Sequence, residues 1–381
     1  MEWPLSPEQG RFRAEVRAFI DARLPSATRE KLRAGRLPSK EDTVQFQRAL
    51  HERGWAAPHW PRRFGGAELG VAERMVLLDE IFRAPAPLPS VFNLGMLGPV
   101  LMRYGTPQQC ERFLPRLASL DLWFCQGFSE PGAGSDLAAL ATSARREAAH
   151  YVVNGQKIWT TDAHLADWAF CLVRTGKGER RQEGISFVLV DLRLPGIRIR
   201  PIVTIDGHHK LNAIFFDDVE VPLDCLVGEE GQGWEIAKFL LSNERSGIAS
   251  VGLCRERLDH ALGLAASIVQ DGRPLLDDAA LRAELAGLDA AVRALEITNW
   301  RLLLDPQRAR AGAGGFASAL KLAGTELRQA ILALVARLAG PSALTREVGV
   351  AQAAYLQSRA CSIFGGASEV QRDLVARAVL H

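Results

Sequence analysis

What this chain lacks narrows its chemistry first. It has no uninterrupted run of about 18 apolar residues, so no membrane span is expected. The opening stretch from Met1 to Ile20 has no basic segment leading into an apolar one. It therefore does not read as a secretory signal, and a cytoplasmic enzyme is the expectation. The six cysteines (Cys110, Cys125, Cys171, Cys225, Cys254 and Cys361) are scattered, with no CxxC and no metal-ligand spacing beside the eight histidines. They are expected to be free thiols in a reducing compartment, and no metal is expected. Charge of one sign is also missing: 46 basic against 44 acidic residues leave +2. Nucleic acid needs a clustered basic face, so it is not an expected partner. There is no GK[ST] phosphate loop, no Rossmann fingerprint, no low-complexity linker and no short repeat.

What is present is globular. Of 381 residues, 48% are hydrophobic and 24% charged, enough for two or three sub-domains with cores of their own. The pattern changes twice, giving an α+β multidomain reading. Residues 1–118 read as an N-terminal helical domain. Ser6-Pro7-Glu8-Gln9 combines an N-cap, an N1 proline and a glutamine at N3, and Ser39 and Thr106-Pro107 repeat the start signal. Pro58 to Gly66 is too rich in breakers to be helical. Residues 119–226 switch to period two, with strand-like runs at 170–173, 185–190, 197–202 and 213–216. Here Asn154-Gly155 between Tyr151-Val152-Val153 and Lys157-Ile158-Trp159 predicts a hairpin. Residues 227–381 return to helices near 234–270, 278–303, 316–339 and 369–379.

Two features suggest chemistry. Gly127-Phe128-Ser129-Glu130-Pro131-Gly132-Ala133-Gly134-Ser135-Asp136 could let a ligand approach the backbone closely, or could be an ordinary tight surface loop. On the long helix, Ala237, Leu241, Glu244, Ile248 and Val251 form one stripe, placing a carboxylate where a core residue is expected. Such an acid is either paired, with Arg245 beside it, or functional. Trp159 alone reads as a core aromatic of the β region.

Taken together, the blocks resemble the acyl-CoA dehydrogenase family. The glycine loop is followed about 20 residues later by Asn154-Gly155-Gln156-Lys157-Ile158-Trp159-Thr160-Thr161. Asp218-Val219-Glu220-Val221-Pro222, Gly231-Gln232-Gly233-Trp234 and the stretch Ile363–Arg372 then come in order, so the resemblance covers essentially the whole chain. It implies a central β-barrel-like or β-sandwich domain between the helical region and a C-terminal four-helix bundle. It also implies FAD, an acyl-CoA substrate and an electron-transfer flavoprotein as acceptor. Cofactor contacts fall by the resemblance on Gln126, Phe128, Ser129, Ser135, Trp159, Thr161 and Glu369, and substrate contacts on Ser135, Arg245 and Gly366. Most members carry their base in the terminal block, where this chain has Gly365. Isovaleryl- and long-chain-type members carry it before a helix arginine, here Glu244-Arg245. The resemblance therefore makes Glu244 the base, with Gly365-Gly366 offering backbone N–H groups to the thioester oxygen. Ser368 and Gln371 predict a capping box just after that loop.

The chain also departs from the pattern. Ile268-Val269-Gln270-Asp271-Gly272-Arg273-Pro274 lacks the arginine and phenylalanine that reach a neighbouring subunit's FAD, leaving Arg273 as substitute. Arg337-Leu338-Ala339-Gly340-Pro341 replaces a glutamine and Phe-Gly-Gly, and Ala367 replaces a threonine. A homotetramer and a heterotetramer with a second dehydrogenase subunit both stay open. The leading expectation is an active dehydrogenase on a branched or bulky acyl group. The alternatives are a non-catalytic partner subunit, or a member acting on a carrier-protein thioester or a nitroalkane.

Overall fold

The structure is a computed structural model that describes residues 5–33, 36–248, 251–305, 313–341 and 350–380; for 242–248, 313–314 and 350 it describes the backbone but not the side chains. Contacts divide the chain into two compact units. One comprises Met1–Asp42, Leu69–Leu88 and Arg245–His381, the other Thr43–Glu68 and Pro89–Glu244. The helix-rich first third is therefore shared between them, because its helices find apolar partners in different places.

The second unit is built on a sheet. Its strands are β1 (Phe124–Gly127), β2 (Ser143–Arg146), β3 (His150–Thr161), β4 (Trp168–Arg174), β5 (Ile185–Asp191), β6 (Ile197–Val203), β7 (His209–Pro222) and β8 (Leu226–Val227). They lie in the order β6-β7-β3-β2-β4-β5-β8, with β1 pairing parallel to β4. The four apolar runs expected as strands fall within β4 to β7. β4 and β5 are buried along nearly their whole length, which explains their unbroken hydrophobic sequences. Helices Gly98–Tyr104 and Pro107–Ser119 belong to this unit. The second starts with the expected capping box, Thr106 accepting from the Gln109 N–H while the Gln109 side chain returns to the Thr106 N–H.

One sequence expectation is corrected here. Asn154-Gly155 is not a hairpin turn; it lies inside β3, which runs unbroken from His150 to Thr161. The register against β7 shifts between Val153 and Gly155: Asp217 and Asp218 bulge from β7 opposite the single Asn154. Asn154 exchanges hydrogen bonds with Asp218 across the strands, donating from Nδ2 at 2.8 Å and accepting from the Asp218 N–H at 2.9 Å. Gly155 has φ 145°, and a Cβ there would lie 2.6 Å from Thr142 Oγ1. Only glycine suits both conditions. A tight turn and a strand facing a bulge can ask for the same two residues.

The first unit is helical. Pro7–Arg23 begins with the predicted Ser6–Gln9 capping box. Helices Val71–Arg83, Val251–Ser267, Ala279–Leu304, Ala313–Ala339, Val350–Ser358 and Ser368–Leu380 complete its main elements. Cys254, Leu258, Ala261 and Ala265 form a stripe at i, i+4, i+7 and i+11 that packs with Ile331 and Val335. The buried Glu80 accepts from Arg17 Nε at 2.7 Å and Nη2 at 3.0 Å, with Arg13 Nε at 3.3 Å, tying the first helix to Val71–Arg83. Among the described residues, no helix is long and apolar enough to cross a membrane.

Candidate active site

The glycine loop leaves the sheet at the end of β1. A Cβ on Gly127 would sit 2.5 Å from Cys171 Sγ, so glycine lets β1 lie close against β4. Phe128 is buried, its ring edge-on to Phe170 at 5.8 Å and Phe187 at 6.2 Å. The Ile158 N–H donates to Ser129 O at 2.9 Å, which ties the loop to β3. Glu130 and Ala133 exchange backbone hydrogen bonds at 2.9 and 3.0 Å, closing a turn around the exposed Pro131 and Gly132. Gly134 and Ser135 are exposed in turn. Neither Gly132 nor Gly134 has a positive φ, and nothing lies within 4 Å of a Cβ built on either. Backbone strain and crowding by the chain therefore do not explain them. Both leave bare backbone open on the exposed side of the loop.

What holds this loop was not read from the sequence. Lys157 is 0% exposed, and Glu130 only 8%. The ammonium donates to Glu130 Oε1 at 2.7 Å, Leu172 O at 2.6 Å and Phe128 O at 3.3 Å. Glu130 also accepts from the N–H groups of Ala141 at 2.6 Å and Thr142 at 3.0 Å. Burial pushes Lys157 below the usual lysine range. Burial acts on Glu130 in the opposite sense, yet the ammonium and the donated hydrogen bonds outweigh it and hold the carboxyl low. The only signal in the sequence is a lysine inside an apolar strand, which also describes an ordinary outward-facing lysine.

Trp159 departs from its core reading. Strict alternation from the buried Lys157 would turn Trp159 inward and Thr160 outward. Instead β3 carries a second bulge between Lys157 and Thr160, with Trp159 at φ 60°. The extra residue reverses the faces, so Thr160 is 1% exposed and Trp159 56%. A left-handed aromatic costs about 1–2 kcal/mol. Its effect is to present an indole beside the glycine loop. Gln126 on β1 and Thr161 at the end of β3 are both half-buried. Gln126 lies on β1 and Phe128 and Ser129 in the loop that follows, which the Ile158 N–H ties to the part of β3 that carries Trp159 and Thr161, with Ser135 further along the loop. Hydroxyls, backbone N–H groups and an uncovered indole are the donor set and stacking surface an isoalloxazine needs, so these residues fit FAD.

The remaining predicted residues lie elsewhere. Glu244 and Arg245 are on the helix Gly233–Ile248, and their side chains lie outside the described residues. Arg273 is exposed on a two-residue strand paired with Val269–Gln270. Gly365 and Gly366 both have positive φ, 65° and 90°, just before the last helix. The capping box expected there is not formed as read. The Gln371 N–H reaches Ala367 O at 3.0 Å, making Ala367 the residue before the helix, and the Gln371 side chain donates from Nε2 to Gly365 O at 3.3 Å. Glu369 is exposed in the first turn.

Helical terminal regions around a sheet domain define a three-domain dehydrogenase fold. Residues 6–121, 125–219 and 231–380 match, respectively, the N-terminal, middle and C-terminal domains of acyl-CoA dehydrogenase. The chain belongs to the acyl-CoA dehydrogenase family, whose members are FAD-dependent oxidoreductases acting on CH–CH groups. It is 36% identical over 379 residues to acyl-CoA dehydrogenase IpdE1 of Mycobacterium tuberculosis, covering 97% of this chain and 96% of that one. It is 32% identical to human mitochondrial short-chain specific acyl-CoA dehydrogenase, over 86% of this chain and 80% of that one. Among solved structures, the Tcur3481-Tcur3483 steroid ACAD superimposes with a TM-score of 0.87 at 30% identity, covering 100% of this chain and 99% of that chain. The ChsE4-ChsE5 complex from Mycobacterium tuberculosis gives 0.86 at 30%, with the same coverage.

Proposed function

We propose that the chain removes the α and β hydrogens of a branched or bulky acyl-CoA, with Glu244 as the base and an electron-transfer flavoprotein as acceptor. The observation that carries this is the glycine pair at 365–366. It has no side chain to serve as a base, while Glu244 stands intact before Arg245 on its helix. An α-proton beside a thioester is too weakly acidic for a carboxylate unless the carbonyl is polarised by fixed donors. Backbone N–H groups of the Gly365-Gly366 loop supply that polarisation, and Ser135, Arg245 and Gly366 contact the substrate. Bound FAD, held by Gln126, Phe128, Ser129, Ser135, Trp159 and Thr161 with Glu369 and Arg273 as outlying contacts, supplies the acceptor for the β-hydrogen. Residues 1–118, 119–226 and 227–381 are the domains of this enzyme, and the cytoplasm is its compartment. The bulk of the acyl group is supported by likeness to a protein described as a steroid ACAD.

Anaerobic titration with acyl-CoAs of graded bulk, including sterol side-chain thioesters, tests the reading through loss of flavin absorbance. Glu244→Gln should keep FAD but slow flavin reduction by at least about a thousandfold. A Glu244→Gln enzyme reduced at the normal rate would remove Glu244 from the chemistry.

A heteromeric assembly, homotetramer being the alternative, is favoured by one feature. Val269–Gln270 and Arg273–Pro274 form an exposed two-strand turn without the aromatic expected of a trans cofactor contact. Both compared structures are described as pairs of different chains. A non-catalytic partner subunit is the corresponding second reading, and purified chain that binds no FAD alone would favour it.

A further inference from the structure

The loop before the last helix is gripped from behind. Lys321, on Ala313–Ala339, is 1% exposed and donates from Nζ to Gly366 O at 2.9 Å. Gln371, also 1% exposed, donates from Nε2 to Gly365 O at 3.3 Å. The grip is close: a Cβ on Gly366 would meet Gln371 Nε2 at 2.2 Å. Two consecutive carbonyls are therefore held by two buried side chains from two helices. In a trans peptide the N–H points opposite to its carbonyl. Holding Gly365 O and Gly366 O inward turns the N–H groups of Gly366 and Ala367 outward from the bundle core. Among the described residues, neither N–H is taken up by a backbone carbonyl.

We infer that Lys321 and Gln371 are positioning residues that orient the Gly365-Gly366 backbone so that its outward N–H groups meet the thioester oxygen. This rests on the proposed role of that loop in polarising the carbonyl. Neither side chain touches substrate. Lys321 adds charge to its hydrogen bond, which stiffens the peptide plane and strengthens the dipole behind the outward N–H. A buried ammonium is costly to keep unless its hydrogen bonds are made, so this lysine is a poor choice for filling space. The positive φ values at 365 and 366 allow the two planes to be set this way without a side-chain clash.

The test uses full-length, FAD-loaded protein and a carbonyl-labelled, non-reacting thioester of the best substrate. In the wild type, difference infrared spectroscopy should place the bound carbonyl stretch well below its value in water. Lys321→Met and Gln371→Leu should each move that stretch back toward the water value. Each should slow flavin reduction by about ten- to a hundredfold, with less than about a threefold change in thioester Kd. Folded, FAD-loaded variants with the wild-type stretch and rate would overturn the assignment. If Lys321→Met fails to fold, Gln371→Leu decides by the same readouts, and loss of folding in both would make the pair structural and overturn its positioning role. Wild-type flavin that no acyl-CoA bleaches would sink the functional reading and this inference together; unaltered variants against a responsive wild type would sink the clamp alone.

Discussion

Replacing Lys157 by methionine removes a charge from the most deeply buried ion pair of the sheet unit. The methionine keeps most of the apolar stem but leaves Glu130, 8% exposed, with only the Ala141 and Thr142 N–H groups. Breaking a buried pair from one side costs about 3–5 kcal/mol, because the remaining charge is uncompensated. Lys157→Met/Glu130→Gln buries no charge and keeps an oxygen for one of the two N–H groups, which donate to different carboxylate oxygens. Its cost should fall short of the summed single costs by at least about 2 kcal/mol. Hydrogen exchange of peptides spanning 127–142 reads the effect locally, and 3 kcal/mol means exchange over about a hundredfold faster. The pH dependence gives a second signature. In the wild type Glu130 is held below its ordinary value, so its contribution is present above the carboxylate range and lost as pH falls through the folded value. In Lys157→Met burial prevails and raises the folded value. The deficit should then be largest at pH 7.5 and shrink on acidification toward pH 5. Additive single effects, or a deficit unchanged between those pH values, would refute the account of why the loop holds its shape.

Two other perturbations separate stability from function. Trp159→Gly should relieve the left-handed conformation and leave the apo chain as stable or up to about 1 kcal/mol more so. The same change should weaken FAD binding about tenfold by flavin fluorescence titration, and equal losses in both would argue that the indole is a packing residue. Asp79 is raised to about 6, chiefly by burial, against the attraction of Arg83 and with Glu296 and Glu80 adding to the rise. A raised carboxyl is favourable below its unfolded value near 3.8 and loses that contribution as pH rises through about 6. Asp79→Asn should therefore stabilise the helical unit at pH 8 by up to about 3 kcal/mol, with the gain fading by pH 4. Thermal unfolding across that range checks it, and a gain independent of pH would contradict the sign.

The helix starts at Ser6 and Thr106 were legible because capping is local: four residues contain the donors, the acceptors and the reason. The strands from β4 to β7 were legible because burial on a sheet imposes its period on composition. Asn154-Gly155 and Trp159 were misread because the demands on them lie outside the strand's own sequence. The first pair answers a bulge on β7 and the closeness of Thr142, while at Trp159 a bulge in β3 itself shifts the count by one. The family blocks located the candidate site residues without explaining their geometry. Ser368 and Gln371 show the limit of local rules from the other side. They have the spacing of a capping box, but Gln371 is drawn instead to a carbonyl in the preceding loop.

The two glycine-bearing loops, one in each unit, share one physical device. The glycines of these loops bring no side chain to pack, so the bare stretches need another hold. Each is held through a carbonyl oxygen by a lysine from the neighbouring element: Lys157 at Phe128 O in the sheet unit, and Lys321 at Gly366 O in the helical unit. A lysine suits this task because its flexible stem can cross a packed layer while its head offers three donors to converging oxygens. Peptide planarity then turns the Ser129 and Ala367 N–H groups away from the lysines that hold the preceding carbonyls. A neutral donor could make one such bond but would not polarise the peptide as strongly. Each buried cation therefore links the stability of its unit to the direction in which a loop presents its donors, and a substitution that spared one while changing the other would have to replace the charge without moving the carbonyl.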